Sequence, residues 1–151
     1  MTTETPSPNE DIHKELDLLL RKAEELYAEK KYDEAVGHLQ QMIERFPDSP
    51  LPHHDLAVVY LSQLYDKYQH MEVWEDLADD EAIFEAAVAA EEAALDVDGE
   101  FVPALNNLGT LFALRGWWED AVEEWDYSLS IDPEQPELRE DLAEVRERVG
   151  E

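Results

Sequence analysis

Gly109-Thr110-Leu111-Phe112-Ala113-Leu114-Arg115-Gly116-Trp117-Trp118-Glu119-Asp120-Ala121 repeats, in altered form, an earlier stretch, Ala23-Glu24-Glu25-Leu26-Tyr27-Ala28-Glu29-Lys30-Lys31-Tyr32-Asp33-Glu34-Ala35. In both, a small residue stands twelve positions before an alanine, and an aromatic, Trp118 or Tyr32, stands three before it. Four positions after the alanine comes a large side chain, Trp125 or Leu39, and twelve after it a proline, Pro133 or Pro47. Small residues let two helices cross closely, the aromatic fills the turn, and proline, which lacks an N–H, ends the second helix. The pattern describes a helical hairpin.

Ala35 and Ala121 are 86 positions apart, which is two periods of about 34 residues and 18 residues more. A third copy therefore belongs between them with an insertion. Leu56-Ala57-Val58-Val59-Tyr60 matches the first half of the pattern, and Ala87, Glu91, Ala94 and Gly99 match the second. Ala57 and Ala87 are 30 positions apart instead of twelve, so the extra residues fall inside the hairpin. Eighteen residues make about five α-helical turns, enough to lengthen both arms without changing their phase. Gln63 to Val97 holds no Gly, Ser or Pro, which agrees with helix.

The remaining chain fits the same plan. Residues 1–8 lack apolar periodicity and are expected to be a disordered tail. Asn9 or Asp11 can cap a helix whose stripe is Ile12, Leu16, Leu19, Leu20, Ala23 and Leu26. A second helix starts at Asp33. A third runs from near Pro52 to about His70, and a fourth, capped by Asp79 or Asp80, runs to about Val97. Residues 71–78 fit either a buried turn or an early start of the fourth helix. Pro103 to Leu114 forms the fifth, closed by Gly116. The sixth turns Trp118, Ala121, Val122, Trp125 and Leu129 inward. The last helix, residues 136–149, carries Leu138, Leu142, Val145 and Val149 on one face and charges elsewhere, as a terminal cap requires.

The chain has 39 acids against 11 bases, a net charge of −28, and no cysteine. Disulfides and thiolate chemistry are excluded, and the lack of a basic stripe argues against nucleic acid as a partner. There is no apolar run of membrane-spanning length and no signal-like N-terminus, so a soluble cytoplasmic protein without membrane contact is expected. Between Tyr68 and Leu114 no Lys or Arg interrupts the acids. The acidity fits either a halophilic cytoplasm or a face for a basic partner.

Nothing in the chain announces catalysis, a metal or a cofactor. His13, His38, His53, His54 and His70 form no metal-ligand pair, and adjacent His53 and His54 point about 100° apart on a helix. Asp96-Val97-Asp98-Gly99 has the look of a calcium loop, but Ala94 and Leu105 would then occupy ligand positions. No phosphate-binding loop or nucleophile motif occurs.

The three copies resemble the tetratricopeptide repeat (TPR) over roughly Leu16 to Gln135. The resemblance implies an all-α, right-handed α–α superhelix: three hairpins (residues about 16–49, 50–101 and 102–135), the middle one extended, followed by the capping helix, all in one domain over 9–151. It also implies a non-catalytic scaffold whose first helices line a concave groove for a peptide or a partner's helix. Carried over, the groove residues are Leu20, Glu24, Tyr27, His54, Val58, Leu61, Asn106, Thr110 and Ala113. Some members clamp a C-terminal carboxylate with lysines and asparagines; here the matching positions hold Leu20, Glu24, His54 and Val58, so that clamp is absent. Such a groove is apolar with acidic flanks and suits an apolar or basic protein segment. The alternative is a regulatory or accessory subunit of a larger assembly, monomeric or weakly homo-oligomeric. Tyr68, Met71 and Trp74 near the tip of the extended hairpin would then form a contact surface, or else a small core between the arms.

Mutual repulsion among 28 excess negative charges opposes the compact state and is relieved by screening. The melting temperature is expected to rise from low salt to molar potassium chloride; a flat or falling curve would show that the acids are neutralised locally.

Overall fold

The computed structural model describes residues 7–69 and 78–150. Seven helices follow one another: α1 (Pro8–Ala28), α2 (Tyr32–Arg45), α3 (Leu51–Tyr68), α4 (Ala78–Val97), α5 (Val102–Leu114), α6 (Trp118–Ile131) and α7 (Pro136–Val149). No strand occurs among the described residues. The helices pair as the hairpins α1–α2, α3–α4 and α5–α6, stacked into a right-handed superhelix that α7 closes.

Each hairpin crosses where the sequence places its small residues. Ala23, Ala35, Ala87 and Ala121 are wholly buried, and Ala57 nearly so. The repeat register pairs each small residue of the first helix with a large one of the second, Ala23 with Leu39, Ala57 with Glu91 and Gly109 with Trp125, and all six are buried. The third pair is the most extreme. A Cβ at position 109 would lie 2.1 Å from Trp125 Nε1, so only glycine admits the indole, whose N–H donates to the Asn106 carbonyl at 3.1 Å.

The turns also repeat. Gly116 adopts φ 74°, and the N–H of Trp117 bonds back to the Phe112 carbonyl at 2.9 Å. In the first hairpin the same left-handed position is filled by Lys30 at φ 61°, with Lys31 bonded to Leu26 at 2.9 Å. Lys30 also reaches Asp66 of α3 at 2.8 Å, tying the turn to the next hairpin.

The middle hairpin has longer arms than the third. α3 has 18 residues and α4 has 20, against 13 and 14 in α5 and α6. Phase is kept across the insertion: Leu64 and Phe84 are buried, and Lys67 of α3 bridges to Asp80 of α4 at 2.8 Å. Tyr65, on the same arm, is 43% exposed. Residues 70–77, with Met71 and Trp74, and the side chain of Tyr68 lie outside the described residues, as does the expected tip surface they were to form.

Three sequence expectations are corrected. The cap of α1 is Ser7, whose hydroxyl accepts from Glu10 N–H at 3.4 Å, and not Asn9 or Asp11. Ile12, assigned to the apolar stripe, is 48% exposed, because α1 with 21 residues overruns α2 with 14 and its first turns have no helix opposite. α3 is described to Tyr68, and His70, the expected end, lies outside the described residues. Asp79 and Asp80 lie inside α4, where Asp80 is buried against Lys67 instead of capping.

At the C-terminus, Leu138, Leu142 and Val145 of α7 cover Val122 and Trp125. Arg146 holds Asp126 through two bonds of 2.6 and 2.7 Å. Gln135 accepts from Asn106 Nδ2 at 2.8 Å and donates to Ser128 Oγ at 3.0 Å, which locks the cap onto the third hairpin.

The Gly109–Trp125 fit makes a direct prediction. Gly109→Ala should destabilise by about 3 kcal/mol, at the upper end of ordinary overpacking. Adding Trp125→Leu, which recreates the Ala–Leu pair of the first hairpin, should recover part of that loss. Additive effects of the two substitutions in thermal melts would contradict the crossing.

Candidate partner-binding groove

The nine expected groove residues lie on the first helices of the three hairpins: Leu20, Glu24 and Tyr27 on α1, His54, Val58 and Leu61 on α3, Asn106, Thr110 and Ala113 on α5. They differ in how free they are. Leu20 is buried in the core. Tyr27, Val58, Leu61, Thr110 and Ala113 are half-buried, and Glu24 is exposed.

His54 and Asn106 occupy equivalent positions and are both held by internal bonds. The Nδ1 of His54 lies 3.0 and 3.1 Å from the two carboxylate oxygens of Glu91 on α4, and its ring meets Phe101 edge-on at a centroid distance of 5.5 Å. Asn107 of α5 donates to the same carboxylate at 2.8 Å. Glu91 is fully buried; burial pushes its carboxyl up, and the bonds from His54 and Asn107 oppose that. Three helices from two hairpins therefore converge on one carboxylate. Asn106 is engaged just as fully, by Gln135, by Ser128 and, through its backbone carbonyl, by the Trp125 indole and the Thr110 hydroxyl.

Asp55, beside His54, has no such support. Among the described residues no hydrogen bond or ion pair reaches its carboxylate, and it is half-buried. Burial raises its carboxyl from 3.8 to about 6; His54 works against this, while Glu24 and Glu91 add to it. The phenol of Tyr27 is raised too, by burial first and then by Asp55 and Glu24. Glu24, Tyr27 and Asp55 thus make a polar, negatively charged lip between α1 and α3, with Val58 and Leu61 as apolar neighbours along α3. At the other end, Asn106, Thr110 and Trp125 with Gln135, Leu138 and Asp141 line a hollow of about 380 Å³ against the capping helix.

The sequence reading missed Asp55 and the enclosure of Glu91. The signal for Glu91 was its departure from the apolar residue of the other copies. For Asp55 it was the repeat register, which aligns it with Asn107. Among the described residues no group of three or more His, Asp or Glu side chains is arranged to hold a metal, and no helix is long and apolar enough to cross a membrane.

No family model matches this chain, and no curated protein matches it. Solved structures do. The first TPR of Spaghetti (RPAP3), bound to the HSP90 peptide SRMEEVD, superposes with TM-score 0.71 at 16% identity over 91% of this chain and 95% of that one. The second TPR domain of human RPAP3, in complex with the HSP70 peptide SGPTIEEVD, gives 0.67 at 17% identity over 89% and 97%. A thermophilic TPR protein of Thermus thermophilus gives 0.73 at 20% identity over 89% and 66%. The fold is TPR-like.

Because Asp55 ionises near pH 6 in the folded chain and near 3.8 ordinarily, its charge opposes folding. Well below pH 3.8 both states keep the proton and the effect vanishes; between about 3.8 and 6 the unfolded state alone ionises, so the folded state loses stability, by about 2–3 kcal/mol in all, and above 6 the loss is constant. Asp55→Asn should therefore stabilise the protein at pH 7.5 and leave it nearly unchanged at pH 3. Equal effects at both values in denaturant melts would contradict the half-buried, unpaired carboxylate.

Proposed function

We propose that this chain is a non-catalytic protein-interaction scaffold that receives a peptide or helix bearing basic and apolar side chains in its concave groove. The observation that carries this reading is Asp55: an unpaired, half-buried carboxylate at the groove's lip, beside Glu24 and the Tyr27 hydroxyl. A lysine or arginine placed there would neutralise a carboxylate that no described residue hydrogen-bonds, through a charge-assisted hydrogen bond. Val58, Leu61, Thr110 and Ala113 would meet the apolar side chains between.

The two RPAP3 domains are bound to peptides ending in EEVD. An acidic peptide would meet like charge here. The preference is inverted while the fold is shared. The acidity of the whole surface suits a salt-rich cytoplasm, where screening offsets repulsion. The second reading, an accessory subunit acting through oligomerisation or the extended hairpin, rests on the added length of α3 and α4. Size-exclusion chromatography at high salt separates the two, since a lone scaffold elutes as a monomer.

Calorimetric titration with SRMEEVD and with a counterpart carrying lysine at each acidic position tests the groove. The basic peptide is expected to bind and the acidic one to fail. Asp55→Asn should weaken the basic peptide about tenfold, while Glu140→Gln, which removes one charge from α7, should not. Equal losses in both variants would reduce the interaction to net charge and reject the groove.

A further inference from the structure

A second hollow lies on α4, lined by none of the nine groove residues. It has a volume of about 240 Å³, with Phe84, Val88, Phe112 and Trp117 as its floor and walls and Glu81, Glu85 and Glu92 at its rim. Trp117, in the turn between α5 and α6, is 47% exposed although it touches two other rings: Phe84 edge-on at 5.7 Å and Phe112 at 6.0 Å. An indole fixed in place by two rings, with much of its surface in water, is a costly arrangement for a surface with no partner.

The hollow's own edge shows what it accepts. The Arg115 guanidinium lies over the Phe84 ring, 4.5 Å from its centroid, and pairs with Glu81. A cation between an aromatic face and a glutamate is thus already part of this surface. Glu85 and Glu92 are exposed, and among the described residues no Lys or Arg pairs with either. Across from Glu92, burial raises the Glu124 carboxyl of α6, and then the charges of Glu123, Glu92 and Asp120 raise it further. Apart from Arg115 at Glu81, no described base relieves the negative charge crowded here.

We propose that this hollow is a second docking point, taking a lysine or arginine side chain and an adjacent apolar one from a protein partner. The alkyl stem would lie on Val88 and Phe112, with the cation over the Trp117 face between Glu85 and Glu92. Charge complementarity selects this occupant: an apolar floor alone would accept any hydrophobe, but this rim repels acids. The proposal is independent of the groove reading, and a partner long enough to touch both sites would gain from the linkage.

The test is site-resolved. Proton–nitrogen NMR spectra give one indole N–H signal for each of the four tryptophans; Trp117→Phe assigns one and Trp125→Phe another, the latter reporting on the groove. The probe is a short peptide alternating arginine and leucine, with an arginine–glycine peptide of equal charge as control. The arginine–leucine peptide should move the Trp117 signal, and Glu85→Lys with Glu92→Lys should raise the fitted Kd about tenfold. These are exposed positions, so the double variant should fold; Glu85→Gln with Glu92→Gln should give a smaller loss in the same direction. Asp55→Asn should leave the Trp117 response intact while altering that of Trp125.

Three results would overturn the proposal. One is a Trp117 signal that is static, or that moves equally in the charge-reversed protein. Another is an equal response to the arginine–glycine control, which reduces the contact to surface charge. The third is movement on concentrating the protein without peptide, which makes the occupant a second copy of the chain. Failure at Trp125 alone rejects only the groove.

Discussion

Everything in this fold depends on two helices meeting at a small residue. In the third hairpin Trp125 fits over Gly109, and the first hairpin has buried Leu39 and Ala23 at the same places in the repeat. Protein interiors are packed as tightly as crystals, so the pair sets the distance between the helices and hence where the next hairpin sits. The middle hairpin puts a carboxylate at the same place. A buried Glu91 cannot be left bare, and the donors come from His54 in its own hairpin and Asn107 in the next. A hydrocarbon there would have packed each hairpin separately; the carboxylate makes the contact between the second and third hairpins specific, because a misregistered neighbour would leave a buried charge unsatisfied.

The same register explains Asp55. Counting from the small residue, Asp55 and Asn107 are equivalent, and each faces the hairpin before its own. Asn107 finds Glu91 there. The corresponding residue of the first hairpin is Leu39, which offers no hydrogen bond. The polar group is repeated and its partner is not, so one carboxylate remains unanswered at the lip of the groove. Structural accidents of this kind cost stability, and the cost is recovered only when something positive arrives.

How much of this was legible follows from range. The hairpins, their crossing residues, the cap helix and the kept phase of the insertion all rest on local spacing, and they were read from Ala23, Ala35, Ala57, Ala87, Gly109 and Ala121. Helix ends were less legible: Ser7 rather than Asn9 caps α1 because capping is decided by backbone geometry that composition leaves open, and Ile12 faces water because α2 is too short to cover it. Groove positions followed from periodicity, but periodicity cannot say which side chains are already engaged. His54 and Asn106 are held by bonds to residues 37 and 29 positions away, contacts that exist only once the hairpins stack.

Four of the eleven bases sit at seams. Lys30 joins the first turn to α3, Lys67 joins the extended arms, Arg115 joins the α5–α6 turn to α4, and Arg146 joins the cap to α6. None of these four is bonded to Asp55 at the groove lip or to Glu85 and Glu92 at the outer hollow of α4. Salt affects the two differently. Exposed Glu85 and Glu92 lie within reach of mobile ions, and screening shortens their influence to about 3 Å at molar concentration. Asp55 is half enclosed by Tyr27 and α3, where ions penetrate poorly, and its charge persists. On the proposed reading, a contact at α4 would be the salt-sensitive half of recognition, governing approach, and a cation seated against Asp55 the salt-resistant half, governing how long the partner stays. A protein carrying 28 excess negative charges, if it works where screening is strong, needs the second kind of contact for affinity. Enclosure of Asp55 supplies it in a way that no increase in surface acidity could.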